Sequence, residues 1–349
     1  MKLFKTESSH NMTAALLSHG DYNVIRVDWG NGSLTLPDKA MANTEVVGEE
    51  IAHFVNTLKE NLNLNASKCH CIGHSMGGYV CGFAGQRIDK LGRISGLDPG
   101  FVRFFHVDNN KTLDPSDATF VDVYHTGFSL LNIAPSLAFV RPLGHIDIYL
   151  NNGEQQPGCQ ISVQSLLDTN NNIEDYFLDY FINEAVCGHF RIITYYIESI
   201  LNSSCQWVAY ECPSYERFKR GECATCGDDN SKCAFLGLRA SEYADKTREN
   251  VMLYIETAPE PPFCVQHYVV NISTGINCTR TDHEDTVKRL FTNHVKVGQI
   301  TSVKLTWESY LSYLLGLILN SYTLGVNSIK ISPLTFYPER CVADTTPKP

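Results

Sequence analysis

Short apolar runs and longer amphipathic runs alternate over the first part of this chain. The runs at 22–29, 68–73, 94–97 and 120–125 are rich in β-branched and aromatic residues, which favours buried strands. Between them, apolar residues recur at helical spacing from residue 37 to about residue 62, and again over 76–88. Strands separated by helices of this length predict a parallel sheet with crossover helices.

One junction between a predicted strand and a predicted helix reads Gly73-His-Ser-Met-Gly77 and fits the pattern G-x-S-x-G. This pattern places a serine on a sharp, strained turn where its hydroxyl is accessible, and we expect side chains at the two flanking glycine positions to collide with the turn. The pattern therefore indicates that Ser75 is a nucleophile. The alternative is an ordinary helix N-cap serine.

The same turn offers half of an oxyanion hole through the backbone N–H of Met76. The other half is expected in a loop after an earlier strand. His19-Gly20 is the one His-Gly pair upstream, and we interpret it as a turn. We therefore expect the second donor to lie outside this chain, and the chain as it stands to be poorly active.

A nucleophilic serine needs a base, and the base needs an orienting carboxylate. Asp98 follows a predicted strand and precedes a proline, so it projects from the edge where open α/β sheets hold their sites. His189 precedes a helix-like run that starts at residue 191. The alternatives are a turn aspartate and a surface histidine at a helix end. Three other histidines are rivals, and we interpret each as a structural donor: His74, His125 and His145.

A polar loop at 109–117 carries Asp114 and Asp117, two carboxylates three residues apart. Together with backbone carbonyl groups, these hard oxygen ligands suit Ca²⁺. The alternative is a solvated acidic loop without an ion.

Charge and cysteine content bound the setting of the chain. Its 28 basic and 38 acidic residues give a net charge of −10, which argues against nucleic-acid partners and against a general anionic-membrane binder. Thirteen cysteines and seven Asn-x-Ser/Thr sequons favour an oxidising, secretory compartment. The first ten residues are no signal peptide, so we expect the true N-terminus to be missing. The sequons begin at Asn11, Asn31, Asn65, Asn110, Asn202, Asn271 and Asn277.

The pattern changes after a proline-rich stretch at 259–263. Alternating β runs at 268–272, 302–307 and 328–331 replace the helical periods, while 345–349 is predicted to be a disordered tail. This predicts a domain boundary near Ala258, with residues 1–257 forming one domain and residues 258–349 a β-rich second one.

These motifs together resemble the pancreatic lipase family. The similarity runs through 24–29, 72–77, 93–99, 113–118 and 120–126, and continues through 142–147, 151–153, 157–159 and 187–191. Gly78 and Cys81 are less typical and suggest a divergent member. The resemblance implies an α/β-hydrolase fold whose N-terminal strands are missing here. It also implies a C-terminal β-sandwich of the lipoxygenase-homology (PLAT-like) type.

The resemblance assigns the triad to Ser75, Asp98 and His189. It implies a structural Ca²⁺ held by the side chains of Asp114 and Asp117 and by the carbonyl oxygens of Asn109 and Thr112. The resemblance also implies a lid over 160–186, closed by the disulfide Cys159–Cys187. Two further disulfides are implied, Cys212–Cys223 and Cys226–Cys233. Cys264–Cys341 is a guess, and five cysteines stay unassigned: Cys69, Cys71, Cys81, Cys205 and Cys278.

The function implied is a secreted lipase that hydrolyses carboxylic esters of lipids through an acyl-enzyme, without an organic cofactor. A long lid and the apolar segment 128–140 favour triacylglycerol as substrate. A phospholipase that cleaves the first acyl ester is the alternative, and a non-catalytic lipid-binding or storage protein is a third hypothesis. The expected partner is a lipid–water interface, contacted through the apolar segment 310–319. The sequence leaves open whether a protein cofactor takes part. The alternative for 310–319 is a buried core segment.

Overall fold

The computed structural model describes residues 2–99, 113–127, 141–159, 173–202, 204–275, 284–293 and 325–333. The helices are α1 (Lys2–His19), α2 (Gly30–Ser33), α3 (Pro37–Leu62), α4 (Met76–Gly85), α5 (Ile173–Leu201) and α6 (Tyr215–Lys219). The strands are β1 (His70–His74), β2 (Arg93–Leu97), β3 (Phe120–His125), β4 (Ile146–Leu150), β5 (Val208–Glu211), β6 (Cys233–Phe235), β7 (Val251–Ile255), β8 (Gln266–Gly275), β9 (Glu284–Asn293) and β10 (Gly325–Pro333).

The first seven strands form one mixed sheet in the order β1-β2-β3-β4-β7-β5-β6. Strands β1 to β4 and β7 run parallel, while β5 and β6 are antiparallel to their neighbours. The register pairs His74 with Leu97, so the next residues along the chain, Ser75 and Asp98, leave the sheet side by side. This sheet with its crossover helices is consistent with an α/β-hydrolase fold.

Helices pack on the sheet and bury it. Strands β2, β3 and β4 are buried along their whole length. Helices α3 and α4 pack against each other, and α3 has the bounds that the sequence predicted, including a proline in its first turn. The core beside α5 contains Tyr195 and Tyr196 of that helix, packed against Tyr124, Ile148 and Leu253 of the sheet.

The prediction of a buried strand at 22–29 is wrong. This segment has no regular secondary structure, and the side chains of Ile25 and Val27 are 63% and 50% exposed. Strand-forming composition is not sufficient, because a strand also needs a neighbour for its ladder of hydrogen bonds. Within the described residues β1 is an edge strand, and segment 22–29 does not pair with it.

A second, antiparallel sheet follows the proline-rich stretch, with the order β10-β8-β9. Strands β8 and β10 contain the predicted runs 268–272 and 328–331, whereas the sequence did not predict β9. The predicted run 302–307, the apolar segments 128–140 and 310–319 and the tail 345–349 lie outside the described residues. None of the described helices combines the length and the apolar character needed to cross a bilayer.

Five disulfides tie the described chain together. Three are the pairs that the resemblance implies, Cys159–Cys187, Cys212–Cys223 and Cys226–Cys233. The other two are Cys71–Cys81 and Cys205–Cys264. The guess of Cys264 with Cys341 is therefore wrong, because α5 ends close to the linker and brings Cys205 to Cys264. Among the described cysteines, Cys69 is the one without a disulfide, while Cys278 and Cys341 lie outside the described residues.

Candidate active site

Ser75 lies on the turn between β1 and α4, as the sequence predicted. Its φ of 56° and ψ of −126° fall outside the backbone regions that residues other than glycine prefer. This is the strain expected of a nucleophile on such a turn. A hydrogen bond of 2.9 Å from its backbone N–H to the carbonyl oxygen of Leu97 holds the turn against β2. Met76 is the first residue of α4, so its N–H has no acceptor inside the helix and can serve an oxyanion.

The two flanking glycines differ in what they allow. A Cβ at Gly73 would lie 2.1 Å from the carbonyl oxygen of Gly77, so a side chain there collides with backbone. A Cβ at Gly77 would meet nothing within 4 Å. The expected collision is therefore confirmed at Gly73 and wrong at Gly77, because the tight contact in the turn is made on one side.

Asp98 follows β2 and is buried, with 5% of its surface exposed. Its Oδ1 accepts a 2.9 Å hydrogen bond from the backbone N–H of Thr126, and its Oδ2 lies 2.7 Å from Nδ1 of His189. Burial alone would raise the pKa of Asp98, but the hydrogen bond and the charge of His189 and the Thr126 N–H together hold that pKa below its usual value. The carboxylate is thus kept ionised as a partner for an imidazole, and the alternative of a simple turn aspartate does not account for these contacts.

His189 is buried within α5 rather than placed before a helix that starts at residue 191. The alternative of a surface histidine at a helix end is excluded by this position. Because an ionised carboxylate only accepts hydrogen bonds, Nδ1 of His189 is assigned as the donor to Asp98. The remaining ring nitrogen, Nε2, is then the atom that can accept a proton from a nucleophile.

His74, the residue before the serine, contacts His189 directly. Its Nε2 lies 2.8 Å from the backbone carbonyl oxygen of His189, and the two ring centroids are 4.4 Å apart. The ring also lies 5.0 Å from that of Phe190. The sequence indicated a structural donor at His74, but nothing in the local sequence could reveal that the acceptor belongs to His189. Ser75 and His189 are therefore brought close to each other through the neighbour of the serine.

The two other rival histidines have structural partners elsewhere. His125 donates through Nε2 to Oδ1 of Asp147 over 2.8 Å, as a structural donor would. His145 is instead an acceptor, because its Nδ1 receives a 2.9 Å hydrogen bond from the backbone N–H of Val121. Neither is paired with Ser75 or Asp98 in these contacts.

The predicted lid lies between two cysteines that are bonded to each other. Cys159 and Cys187 form a disulfide. Residues 160–172 lie outside the described residues, and the backbone of residues 173–186 is the first part of α5, the helix that carries His189. Arg191 places a guanidinium nitrogen 3.3 and 3.4 Å from the two sulfurs, and it stacks 4.7 Å over the ring of Phe263. The base of the predicted lid, the helix of His189 and the linker to the second sheet thus meet at Arg191.

The predicted calcium ligands are described in part. Asp114 caps a short turn and accepts from the N–H and hydroxyl of Ser116, while Asp117 is buried and accepts from the N–H of Asp114. The Oδ1 of Asp117 has no hydrogen-bond partner. Burial, with the nearby charge of Asp114, raises the pKa of Asp117 to about 7. Asn109 and Thr112 lie outside the described residues.

A cation would suit this position. A buried carboxylate oxygen without a donor is stabilised by a nearby positive charge, and oxygen donors are what Ca²⁺ prefers. The described residues hold no group of three or more His, Cys, Asp or Glu side chains placed to bind a metal. The residues present therefore fit a calcium ion coordinated by two carboxylates.

The sequence of this chain is similar to those of known lipases. A family model described as Lipase matches residues 4–263. The chain is 33% identical over 327 residues to pancreatic lipase-related protein 3 of Homo sapiens, covering 86% of the chain and 68% of that protein. It is 38% identical over 267 residues to pancreatic triacylglycerol lipase of Myocastor coypus, covering 75% and 56%. It is also 37% identical over 259 residues to inactive pancreatic lipase-related protein 1 of Mus musculus, covering 72% and 52%.

The chain spans two thirds of the human relative and little more than half of the other two. Its match to the family model takes in the strained serine, the buried aspartate and the histidine bonded to it. The chain belongs to the pancreatic lipase family.

Proposed function

We propose that this chain acts as a secreted lipase that hydrolyses carboxylic esters of lipids, with triacylglycerol as the preferred substrate. The observation that carries the proposal is the buried pair of His189 and Asp98, 2.7 Å apart, beside the strained turn of Ser75. Relatives named pancreatic triacylglycerol lipase support the substrate class.

In the proposed mechanism His189 takes the proton of the Ser75 hydroxyl through Nε2 as the oxygen attacks the ester carbonyl. Asp98 holds the imidazole by Nδ1 and stabilises the cation that forms. The N–H of Met76 donates to the developing oxyanion. His189 then returns the proton to the departing alcohol, and water releases the fatty acid by the reverse sequence of proton transfers.

A non-catalytic lipid-binding protein is the second candidate, because a relative of similar identity is named inactive. The contacts of Asp98 weigh against it. Burying a carboxylate costs free energy unless its oxygens are hydrogen-bonded, and Asp98 is only 5% exposed. Both of its oxygens accept hydrogen bonds, one of them from His189, which is the arrangement of a functional site. We therefore favour a catalytic function over non-catalytic lipid binding or storage.

Calcium is proposed as a structural ion bound by Asp114 and Asp117, with Asn109 and Thr112 contributing carbonyl oxygens. The orphaned Oδ1 of Asp117 supports this. When bound, the ion would neutralise charge and steady the loop after β2. Asp114 and Asp117 would hold it away from the reacting atoms, and no proton transfer of the mechanism passes through it.

The remaining parts are proposed to act at the lipid surface. Residues 160–186 would form a lid that covers the acyl site in water, and residues 258–349 would form a β-sandwich of the PLAT-like type that contacts the lipid–water interface. The antiparallel strands β8, β9 and β10 support a β-rich second domain after residue 257.

An extracellular location is proposed from the covalent structure. Five disulfides within the described residues are hard to maintain in a reducing cytosol. Relatives named pancreatic lipases support the same location.

The test is covalent labelling followed by hydrolysis assays, with the chain expressed behind a cleavable secretion signal. A serine-reactive phosphonate ester should label Ser75 in the unaltered chain but not in Ser75→Ala, and Ser241→Ala, which changes an exposed serine, should label normally. Emulsified triacylglycerol and phospholipid vesicles, assayed side by side, then separate a lipase from a phospholipase. A chain that binds emulsified lipid but is not labelled at Ser75 would support the non-catalytic candidate.

A further inference from the structure

We propose that Asn65 and Asn202 carry N-linked glycans. Both begin sequons, Asn65-Ala-Ser67 and Asn202-Ser-Ser204. The inference rests on the secretory location proposed above, and it goes beyond the catalytic function because it selects particular acceptors from the seven sequons.

The two acceptors share a local geometry. The Oδ1 of Asn65 accepts from the backbone N–H of Ser67 at 3.0 Å and from its hydroxyl at 2.8 Å. The Oδ1 of Asn202 accepts from the N–H and the hydroxyl of Ser204 at 3.1 and 2.6 Å. Each asparagine therefore turns its carboxamide oxygen toward its own sequon serine and leaves Nδ2, the atom that receives the sugar, on the other side.

Of the other described sequons, the two that lie in helices are built differently. Asn11 lies inside α1, where the hydroxyl of Thr13 donates to the carbonyl oxygen of Ser9 at 2.9 Å. Asn31 lies inside α2, where the hydroxyl of Ser33 donates to the carbonyl oxygen of Gly30 at 3.2 Å. In a helix, residues two apart point to different sides, so the hydroxyl does not face the carboxamide of its sequon.

The chemistry of the modification favours the first geometry. An oligosaccharide is transferred from a polyprenyl-pyrophosphate donor: the bond between its C1 and the phosphate oxygen breaks, a C1–Nδ2 bond forms, and Nδ2 loses one proton. A turn that spans only three residues is local, so the nascent chain can adopt it before the domain folds. The helical arrangements at Asn11 and Asn31 depend on longer segments.

In the folded chain Asn65 is exposed and Asn202 is half-buried, and both lie far from the site. Asn65 is exposed before β1, and that five-residue strand separates it from Ser75 by about 17 Å. Asn202 follows the last residue of α5, about 20 Å along the helix axis from His189. Glycans at these positions would leave the substrate side of the sheet open.

The test is glycan mapping of the chain secreted from a eukaryotic cell line. Enzymatic deglycosylation in heavy-oxygen water, followed by peptide mass spectrometry, should mark Asn65 and Asn202 and show lower occupancy at Asn11 and Asn31. The substitutions Ser67→Ala and Ser204→Ala should each abolish the mark at their own site, while Ser67→Thr and Ser204→Thr keep it.

A secreted chain in which Asn65 and Asn202 carry no glycan would overturn the proposal. Higher glycan occupancy at Asn11 and Asn31 than at Asn65 and Asn202 would also overturn it. The Ser75→Ala variant should carry the same glycans, because the modification does not depend on hydrolysis. Failure of the lipase proposal and failure of this one are therefore read from different measurements.

Discussion

The ring of His74 lies beside the ring of His189, tilted by 40° with 4.4 Å between centroids, and its Nε2 donates to the backbone carbonyl oxygen of His189 over 2.8 Å. The residue next to the nucleophile thereby fixes the backbone of the base. This contact joins the turn of Ser75 to helix α5, so a shift of either would be transmitted to the other.

Loss of this hydrogen bond should slow the proposed reaction. We expect His74→Ala to lower kcat by up to about tenfold, the value of one buried hydrogen bond, with little change in KM. His74→Gln keeps an N–H donor and should restore part of the rate, whereas His74→Phe keeps the ring and should not. Equal losses of kcat in all three variants, or a change confined to KM, would contradict a positioning role.

The charge of Asp98 should matter more than its shape. Asp98→Asn keeps the size of the side chain but cannot hold His189 in the tautomer that leaves Nε2 free, and in serine hydrolases such a change costs about 10⁴-fold in kcat. Steady-state hydrolysis of a soluble ester measures it. Asp21→Asn, which alters an exposed aspartate, is the control and should leave the rate unchanged.

The disulfide Cys71–Cys81 spans the turn of Ser75, since one cysteine lies in β1 and the other in α4. A loop of this length contributes about 2–3 kcal/mol to stability. Cys71→Ala/Cys81→Ala should therefore lower Tm, and it should also lower kcat because the strained serine loses its clamp. Cys226→Ala/Cys233→Ala removes a loop of similar length without site residues, and it should lower Tm alone.

The glycine pattern can be tested at its two ends. Gly73→Ala should abolish labelling of Ser75 and reduce the yield of folded chain, because its Cβ would lie 2.1 Å from a backbone oxygen. Gly77→Ala should be tolerated, because nothing lies within 4 Å of its Cβ. Near-ultraviolet circular dichroism and phosphonate labelling report folding and site geometry separately. Equal damage from both substitutions would contradict the one-sided contact.

Local features of this chain were predictable, and contacts across the fold were not. The turn of Ser75 and the position of Asp98 follow from a few neighbouring residues with strong preferences. The contact of His74 with His189 joins residues 115 positions apart, and 13 cysteines allow many pairings, so Cys71–Cys81 and Cys205–Cys264 had no signal in the sequence. The segment at 22–29 has the composition of a strand, but strand formation depends on a partner that composition does not reveal.

Asp117 should make stability depend on pH and on calcium. Burial raises its pKa in the folded chain from 3.8 to about 7, so the folded state holds a proton that the unfolded state has lost. The associated stability is fully present below about pH 4 and is lost as the pH rises toward 7 and above. Calcium would replace that proton, so we expect it to raise Tm at pH 7 to 8 and to have little effect near pH 4.

Thermal unfolding with a chelator or with added calcium, across this pH range, checks the prediction. Asp117→Asn cannot ionise, so its Tm should fall less between pH 4 and pH 7 and should not respond to calcium. Asp89→Asn changes an exposed aspartate and should behave like the unaltered chain. If Asp117→Asn and the unaltered chain gave the same pH profile and the same calcium response, the Oδ1 of Asp117 would have no role in binding the ion.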